Sequence, residues 1–224
     1  MNSMKLAVDA VVFGYGPSPK VSVLLVKRKY DPFKNHWAIP GGFVEEEEGL
    51  EEAVYRELEE ETGIKLNYLE QLYSFGNPKR DPRERIVSIA YFGLVRPDAY
   101  NVVAATDAKE AEWHSIDHLP ELAFDHDTIL ETAIRRLRSK ITYEPIGFEL
   151  LDETFPFSDL ENLYTSLLGR EIDRRNFRKK ILSLGMLDEL EIKVKKGAGR
   201  PANLFQFNKE RYFQLKNDGF VFEL

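Results

Sequence analysis

Three observations predict an α+β chain of two domains. Segments rich in Val, Leu and Phe alternate with two amphipathic helices through residues 1–142, which gives an α+β or α/β sandwich. The pattern breaks at Pro145 and Gly147, so 143–150 reads as a connector. Beyond it, residues 151–224 read as two short helices followed by a hairpin with a basic tip, a second and smaller domain.

The elements follow in order. Leu6–Phe13 and Val21–Arg28 are strands of a hairpin, separated by a Gly- and Pro-rich turn at 14–19. A helix starts near Leu50. Tyr68–Phe75, Ile86–Val95 and Ala111–Ile116 are further strands. Asp127–Arg138 is a helix whose apolar face is Leu130, Ala133, Ile134 and Leu137. In the second domain Ser158 and Glu161 form a capping box. Leu160, Leu163, Tyr164, Leu167 and Leu168 follow at helical spacing, and Gly169 is the stop. Asp173 is placed to cap a second helix running through Leu184, with Phe177, Ile181 and Leu184 on its inner face. Leu190, Ile192 and Val194 alternate as a strand. Leu204–Asn208 returns with Phe205 and Phe207 on one side.

Composition excludes several classes of function. With 43% hydrophobic and 31% charged residues the chain can bury a core, and it has no cysteine for a disulfide, thiolate metal site or cysteine nucleophile. No apolar stretch approaches a membrane span and the N-terminus has no basic start with a long apolar core, so a cytoplasmic protein is expected. The net charge of −7 is uneven. Residues 1–150 carry 26 acidic and 18 basic side chains, whereas 170–200 carry 10 basic and 5 acidic, as expected of two domains with different partners.

The acidic excess is concentrated. Ten of the seventeen residues from Glu45 to Glu61 are acidic, offset only by Arg56. On a helix from Leu50, Glu57 falls on the apolar line of Leu50, Ala53 and Val54, and Glu60 and Glu61 flank it. Like charges at this spacing repel by a few tenths of a kcal/mol, about 0.2–0.5 per pair, and more when partly buried. Three convergent carboxylates suit a hard divalent cation such as Mg2+. A solvated acidic face would account for Glu52 and Glu59, which point the other way, but poorly for Glu57.

Gly42, five residues, Glu48, seven residues, then Arg56-Glu57-Leu58-Glu59-Glu60-Glu61-Thr62-Gly63-Ile64 resembles a complete Nudix box, the signature of the Nudix (MutT-like) family. The resemblance implies a mixed-sheet α/β/α sandwich and a loop–helix–loop that holds Mg2+ or Mn2+ against a diphosphate. It makes Glu57, Glu60 and Glu61 metal ligands, with the Gly42 carbonyl a further one. It places Arg56 as a loop-orienting residue, with Glu48 its partner. The segments 68–76, 80–83, 87–91 and 122–126, with Pro78, resemble the branch that holds ADP-ribose pyrophosphatases and Nudix-related transcriptional regulators of NAD metabolism.

Other residues carry weaker signals. Arg80 and Arg83 suit a diphosphate, a dimer contact or ordinary salt bridges. Trp37 fits a core position better than a base-stacking one, and His126 fits a structural role better than ligand binding. His36, His114 and His118 have no metal-ligand spacing.

Helix, tight turn, basic helix and basic-tipped hairpin resemble a winged helix-turn-helix. The DNA-facing candidates are Arg175, Asn176, Arg178, Lys179 and Lys180 on the helix, with Lys195, Lys196 and Arg200 at the hairpin tip. Arg and Asn can pair with base edges, and Lys neutralises phosphate. A slim tip with Arg suits a narrow minor groove. A basic surface on a small packing domain is the plainer alternative. The expected function is a dimeric regulator that binds operator DNA and senses ADP-ribose. The rivals are an Mg2+-dependent ADP-ribose pyrophosphatase with an accessory domain and a regulator that senses a pentose.

Overall fold

The structure, a computed structural model, describes residues 4–16, 20–66, 69–100, 102, 108–195 and 201–218. It divides into two compact units. The first holds the chain up to Gly16 and Val21–Arg136, and the second holds Leu137–Leu224.

The first unit is built on a seven-stranded mixed sheet. Its strands are β1 (Lys5–Tyr15), β2 (Val21–Arg28), β3 (Trp37–Ala38), β4 (Gly41–Phe43), β5 (Glu70–Phe75), β6 (Ile86–Val95) and β7 (Ala108–Ser115). The order is β3-β2-β1-β6-β5, with β4 paired to β1 and β7 to β2. β1 and β6 are parallel over ten residue pairs, Lys5↔Ile86 to Gly14↔Val95, and every other pairing is antiparallel. Residues 7–15 of β1 are all buried, as a central strand covered on both faces must be.

Helix α1 (Leu50–Thr62) covers one face. It sets Ala53, Val54 and Leu58 against Val8, Ala10, Val12 and Leu24. Val54 and Leu58 are wholly buried, each stabilising by about 1.5–3 kcal/mol. Helix α2 runs from His126 to Tyr143, one turn beyond the expected end at Arg138, because Ile141 continues the buried line of Ile129, Leu130, Ala133 and Leu137. Ile134, expected on that line, is only half-buried.

The second unit contains β8 (Thr154–Pro156), α3 (Phe157–Leu168), α4 (Arg174–Ser183), β9 (Leu187–Val194), β10 (Ala202–Phe207) and α5 (Lys209–Asn217). Its sheet order is β8-β10-β9, antiparallel throughout. Aromatic rings form the core: Phe157 lies 5.6 Å from Phe205 and Tyr164 lies 4.9 Å from Phe177. The Ser158 capping box does not form. α3 begins at Phe157, whose burial draws the first turn back, so Pro156 is the cap residue and Ser158 lies inside the helix. Gly169 ends α3 in the left-handed region at φ 65°, and its N–H donates to the Thr165 carbonyl at 3.0 Å.

Candidate functional site

A cavity of about 330 Å³ in the first unit has walls from β1, β2, β4, α1, the β5–β6 loop and the start of α2. Gly42, Glu57, Glu61, Arg80, Arg83 and His126 line it; Glu48, Arg56, Glu60 and Trp37 do not. Its charges are partly segregated by element. Glu57 and Glu61 come from α1 and Glu45 from the loop before it. The cations come from the end of β2 and the β5–β6 loop, where Asp9 of β1 and Asp81 add carboxylates among them.

Arg56 organises the acidic side. Its Nε and Nη2 grip both oxygens of Glu48 at 2.9 and 2.5 Å, Nη1 donates to Glu57 at 2.8 Å and Glu60 at 3.3 Å, and Nη2 donates to the Phe43 carbonyl at 3.1 Å. These bonds, with one from the Glu45 N–H, hold the Glu48 carboxyl down at about 2. Burial pushes Glu57 up despite Arg56. Glu61 accepts the Gly41 N–H at 2.9 Å, tying helix to loop. Glycine is required at Gly41, where a Cβ would overlap the Val8 carbonyl, and at Gly42 a Cβ would displace the Glu57 carboxylate. Glu52 and Glu59 do other work. Glu52 accepts the Gly49 N–H at 2.7 Å, and Glu59 pairs with Lys65 at 2.7 Å.

The other wall is a buried polar network absent from the sequence reading. Arg80 is 5% exposed at its side chain and clasps Asp125 at 2.8–3.1 Å through Nε and Nη2, with Asp9 3.5 Å away. Ser88 donates to Asp9. His126 Nδ1 accepts the Ile39 N–H at 2.9 Å, so its proton sits on Nε2, 3.6 Å from Asp9. Burial lowers the His126 pKa and keeps the ring neutral. Phe124 makes the geometry possible. Its φ of 56° is unusual for a bulky residue, and the reversal carries Asp125 to Arg80 and His126 to Ile39. The Phe124 ring is flanked by Arg28 at 4.7 Å and Arg83 at 5.7 Å, and Arg83 is held by Asp81 at 2.7 Å. Trp37 packs with His114, ring centroids 4.4 Å apart, beneath Lys27.

The donor set can be tested against a divalent cation. Glu57 and Glu61 present hard oxygens to the cavity, and a cation would meet the need of a carboxylate that burial has starved of water. Glu60 leans toward Arg56, and no three carboxylate or imidazole groups stand close enough to enclose an ion among the described residues. Glu57 and Glu61 are therefore the two acidic donors from α1 that the cavity offers a divalent cation, fewer than the three groups that would enclose one.

In the second unit Arg175, Lys179 and Lys180 are exposed on α4. Asp173 caps this helix, accepting the Asn176 N–H at 3.0 Å; the Asn176 side chain also donates to it at 2.8 Å. Arg178 lies over Phe157 at 4.4 Å and Phe205 at 5.5 Å, which fixes its guanidinium on the outside of the core. Lys195 is exposed at the end of β9, and Lys196 and Arg200 lie outside the described residues.

A mixed-sheet sandwich with this loop–helix–loop, followed by a winged helix, defines a class: a Nudix domain joined to a DNA-binding module. The comparisons with known proteins agree, and the chain belongs to the Nudix family: residues 4–137 match the NUDIX domain and 147–207 the NrtR DNA-binding winged helix domain. It is 34% identical over 211 residues to the ADPR responsive transcriptional repressor NtrR of Acinetobacter baylyi, covering 92% of this chain and 83% of that one. It is similar to the crystal structure of Shewanella oneidensis NrtR complexed with a 27mer DNA, with a TM-score of 0.79, 32% identity and 97% of both chains covered. It is also similar to the NUDIX domain of that NrtR complexed with ADP ribose, with a TM-score of 0.57, 36% identity, and 61% of this chain and 90% of that one covered. Nudix hydrolases as a family generally use a divalent metal.

Proposed function

We propose that this protein is an ADP-ribose-responsive transcriptional repressor. The winged-helix unit binds operator DNA, and the cavity of the Nudix unit binds ADP-ribose. One observation carries the reading: a single chain joins a cavity walled by box carboxylates and arginines to a helix with an exposed basic face. Within the cavity, Glu57 and Glu61, with Glu60 and the Gly42 carbonyl, hold Mg2+ or Mn2+, which when bound neutralises phosphate charge. Arg56 and Glu48 keep the loop in place for it. Arg80 and Arg83 face the diphosphate, and His126 supports the Ile39 loop instead of touching ligand. On DNA, Arg175, Lys179, Lys180 and Lys195 meet phosphate and base edges, with Asn176 and Arg178 positioned by Asp173 and the aromatic core. Lys196 and Arg200, chosen on sequence alone, are further candidates for phosphate contact. The protein works as a homodimer on two half-sites, in the cytoplasm with its DNA.

The test is binding of full-length protein to the DNA upstream of its own coding region. Expected is affinity that falls with salt, with a log–log slope of about −0.9 per phosphate neutralised. Absence of salt-sensitive binding would favour the second reading, an ADP-ribose pyrophosphatase. The intact box on the cavity wall supports that reading, and release of AMP and ribose 5-phosphate from ADP-ribose with Mg2+ tests it. Pentoses are the effectors to try if ADP-ribose leaves the protein unchanged.

A further inference from the structure

Asp125 occupies the N-cap position of α2: the N–H groups of Thr128 and Ile129 donate to its carbonyl at 3.0 and 3.2 Å. An Asp there ordinarily accepts an N–H of the first turn with its carboxylate. Here both oxygens are turned to Arg80 instead. Arg80 lines the cavity, and its Nη1 makes no hydrogen bond with the described residues. Nε and Nη2, by contrast, are committed to Asp125, with Asp9 close by. A buried guanidinium shared between two carboxylates is the group whose allegiance an entering anion can change, because charge–charge interactions are strong where water is excluded. The helix that would feel the change begins in the Nudix unit, and its turns from Leu137 onward belong to the second unit.

Resting on the ADP-ribose reading above, we propose that Asp125 is the regulatory switch residue of this site. A diphosphate in the cavity draws the Arg80 guanidinium toward itself, and the released Asp125 carboxylate caps the first turn of α2. Ligand binding is thereby converted into a change at the start of α2, whose later turns belong to the second unit. Asp125 does not line the cavity, so its part is to transmit and not to bind. A cap is worth about fivefold in the fraying equilibrium of a helix end, which is the right size for a coupling between sites.

The experiment measures operator affinity of full-length protein with and without saturating ADP-ribose at fixed salt and Mg2+, for the wild type and Asp125→Asn. An amide cannot hold Arg80 with charge. The variant should bind ADP-ribose at least as tightly as the wild type and bind operator within about threefold of it, while the ligand-induced change in operator affinity falls at least fivefold. An unchanged coupling factor in Asp125→Asn, beside a normal wild-type response, would overturn the switch and leave the repressor reading intact. No response in the wild type would overturn both. Should the variant not fold, hydrogen exchange on the wild type decides: the amides of Asp127 and Thr128 should gain about fivefold protection with ADP-ribose, and unchanged protection there refutes the proposal.

Discussion

The two units carry charge in opposite ways. In the Nudix unit Asp9, Arg80, Asp125 and His126 are enclosed with named partners, and three of the four are less than a tenth exposed. In the winged-helix unit Arg175, Lys179 and Lys180 stand in solvent on a helix whose packing is left to Phe177 and Ile181. A buried charge without a partner is costly, so the first arrangement is part of the fold. A solvated charge gains little until a polyanion arrives, so the second is a property of binding alone.

That contrast can be broken by mutation, and the largest effect is expected in the buried network. Arg80→Ala strands Asp9 and Asp125 and should lower unfolding stability by about 3–5 kcal/mol in urea denaturation. Arg175→Ala should stay within about 0.5 kcal/mol of wild type. Equal losses would erase the distinction. Next, Glu57→Gln or Glu61→Gln should weaken Mg2+-dependent ADP-ribose binding by about tenfold or more in calorimetry. If single Gln variants at Glu57, Glu60 and Glu61 all keep wild-type Mg2+ dependence, the metal assignment is wrong.

A smaller effect is expected at the cap of α4. Asp173→Ala loses the bond to Asn176 and should cost about 1 kcal/mol of stability. DNA affinity should fall with it, because Asn176 loses its hold. Arg175→Ala and Lys179→Ala should each reduce the salt slope of operator binding by about 1 without shifting thermal unfolding. A slope that stays at its wild-type value would take these residues off the DNA.

The smallest signal is a pH slope. The folded-state pKa of His126 lies below its ordinary 6.5, so the unfolded chain binds more protons in the window between the two values. Stability therefore rises with pH through that window and is lost as pH falls below about 6.5. His126→Gln should flatten this part of the Tm–pH curve, and an undiminished slope would assign it to other groups.

Legibility in the sequence followed the same divide. The box could be read because its chemistry is local. Gly42, Glu48, Arg56 and Glu57 lie within sixteen residues, and the Arg56–Glu48 pair spans only eight positions. β2 and β6, long and rich in apolar residues, begin and end where the pattern places them. The buried network could not be read, because Asp9 and Ser88 are 79 positions apart, Arg80 and Asp125 are 45, and Ile39 and His126 are 87. Only the fold brings them together. β3, β4 and β8, two or three residues each, are too short to carry a period, and α5 has only a weakly amphipathic face. On α4 the sequence located the basic residues but not their restraints: Asn176 bonded to the cap and Arg178 laid across two rings. Tyr68, Lys196 and Arg200 lie outside the described residues.

The central claim, that one chain couples a nucleotide cavity to a DNA-binding helix, is tested most directly by a matched titration of full-length protein. Operator affinity is measured at fixed salt and Mg2+ with and without ADP-ribose, and ADP-ribose affinity with and without operator. Glu60→Gln is used if the ligand is consumed. The account predicts that ADP-ribose lowers operator affinity by about 5–150-fold and that operator weakens ADP-ribose binding by the same factor. Identical operator affinity with and without saturating ADP-ribose would contradict it.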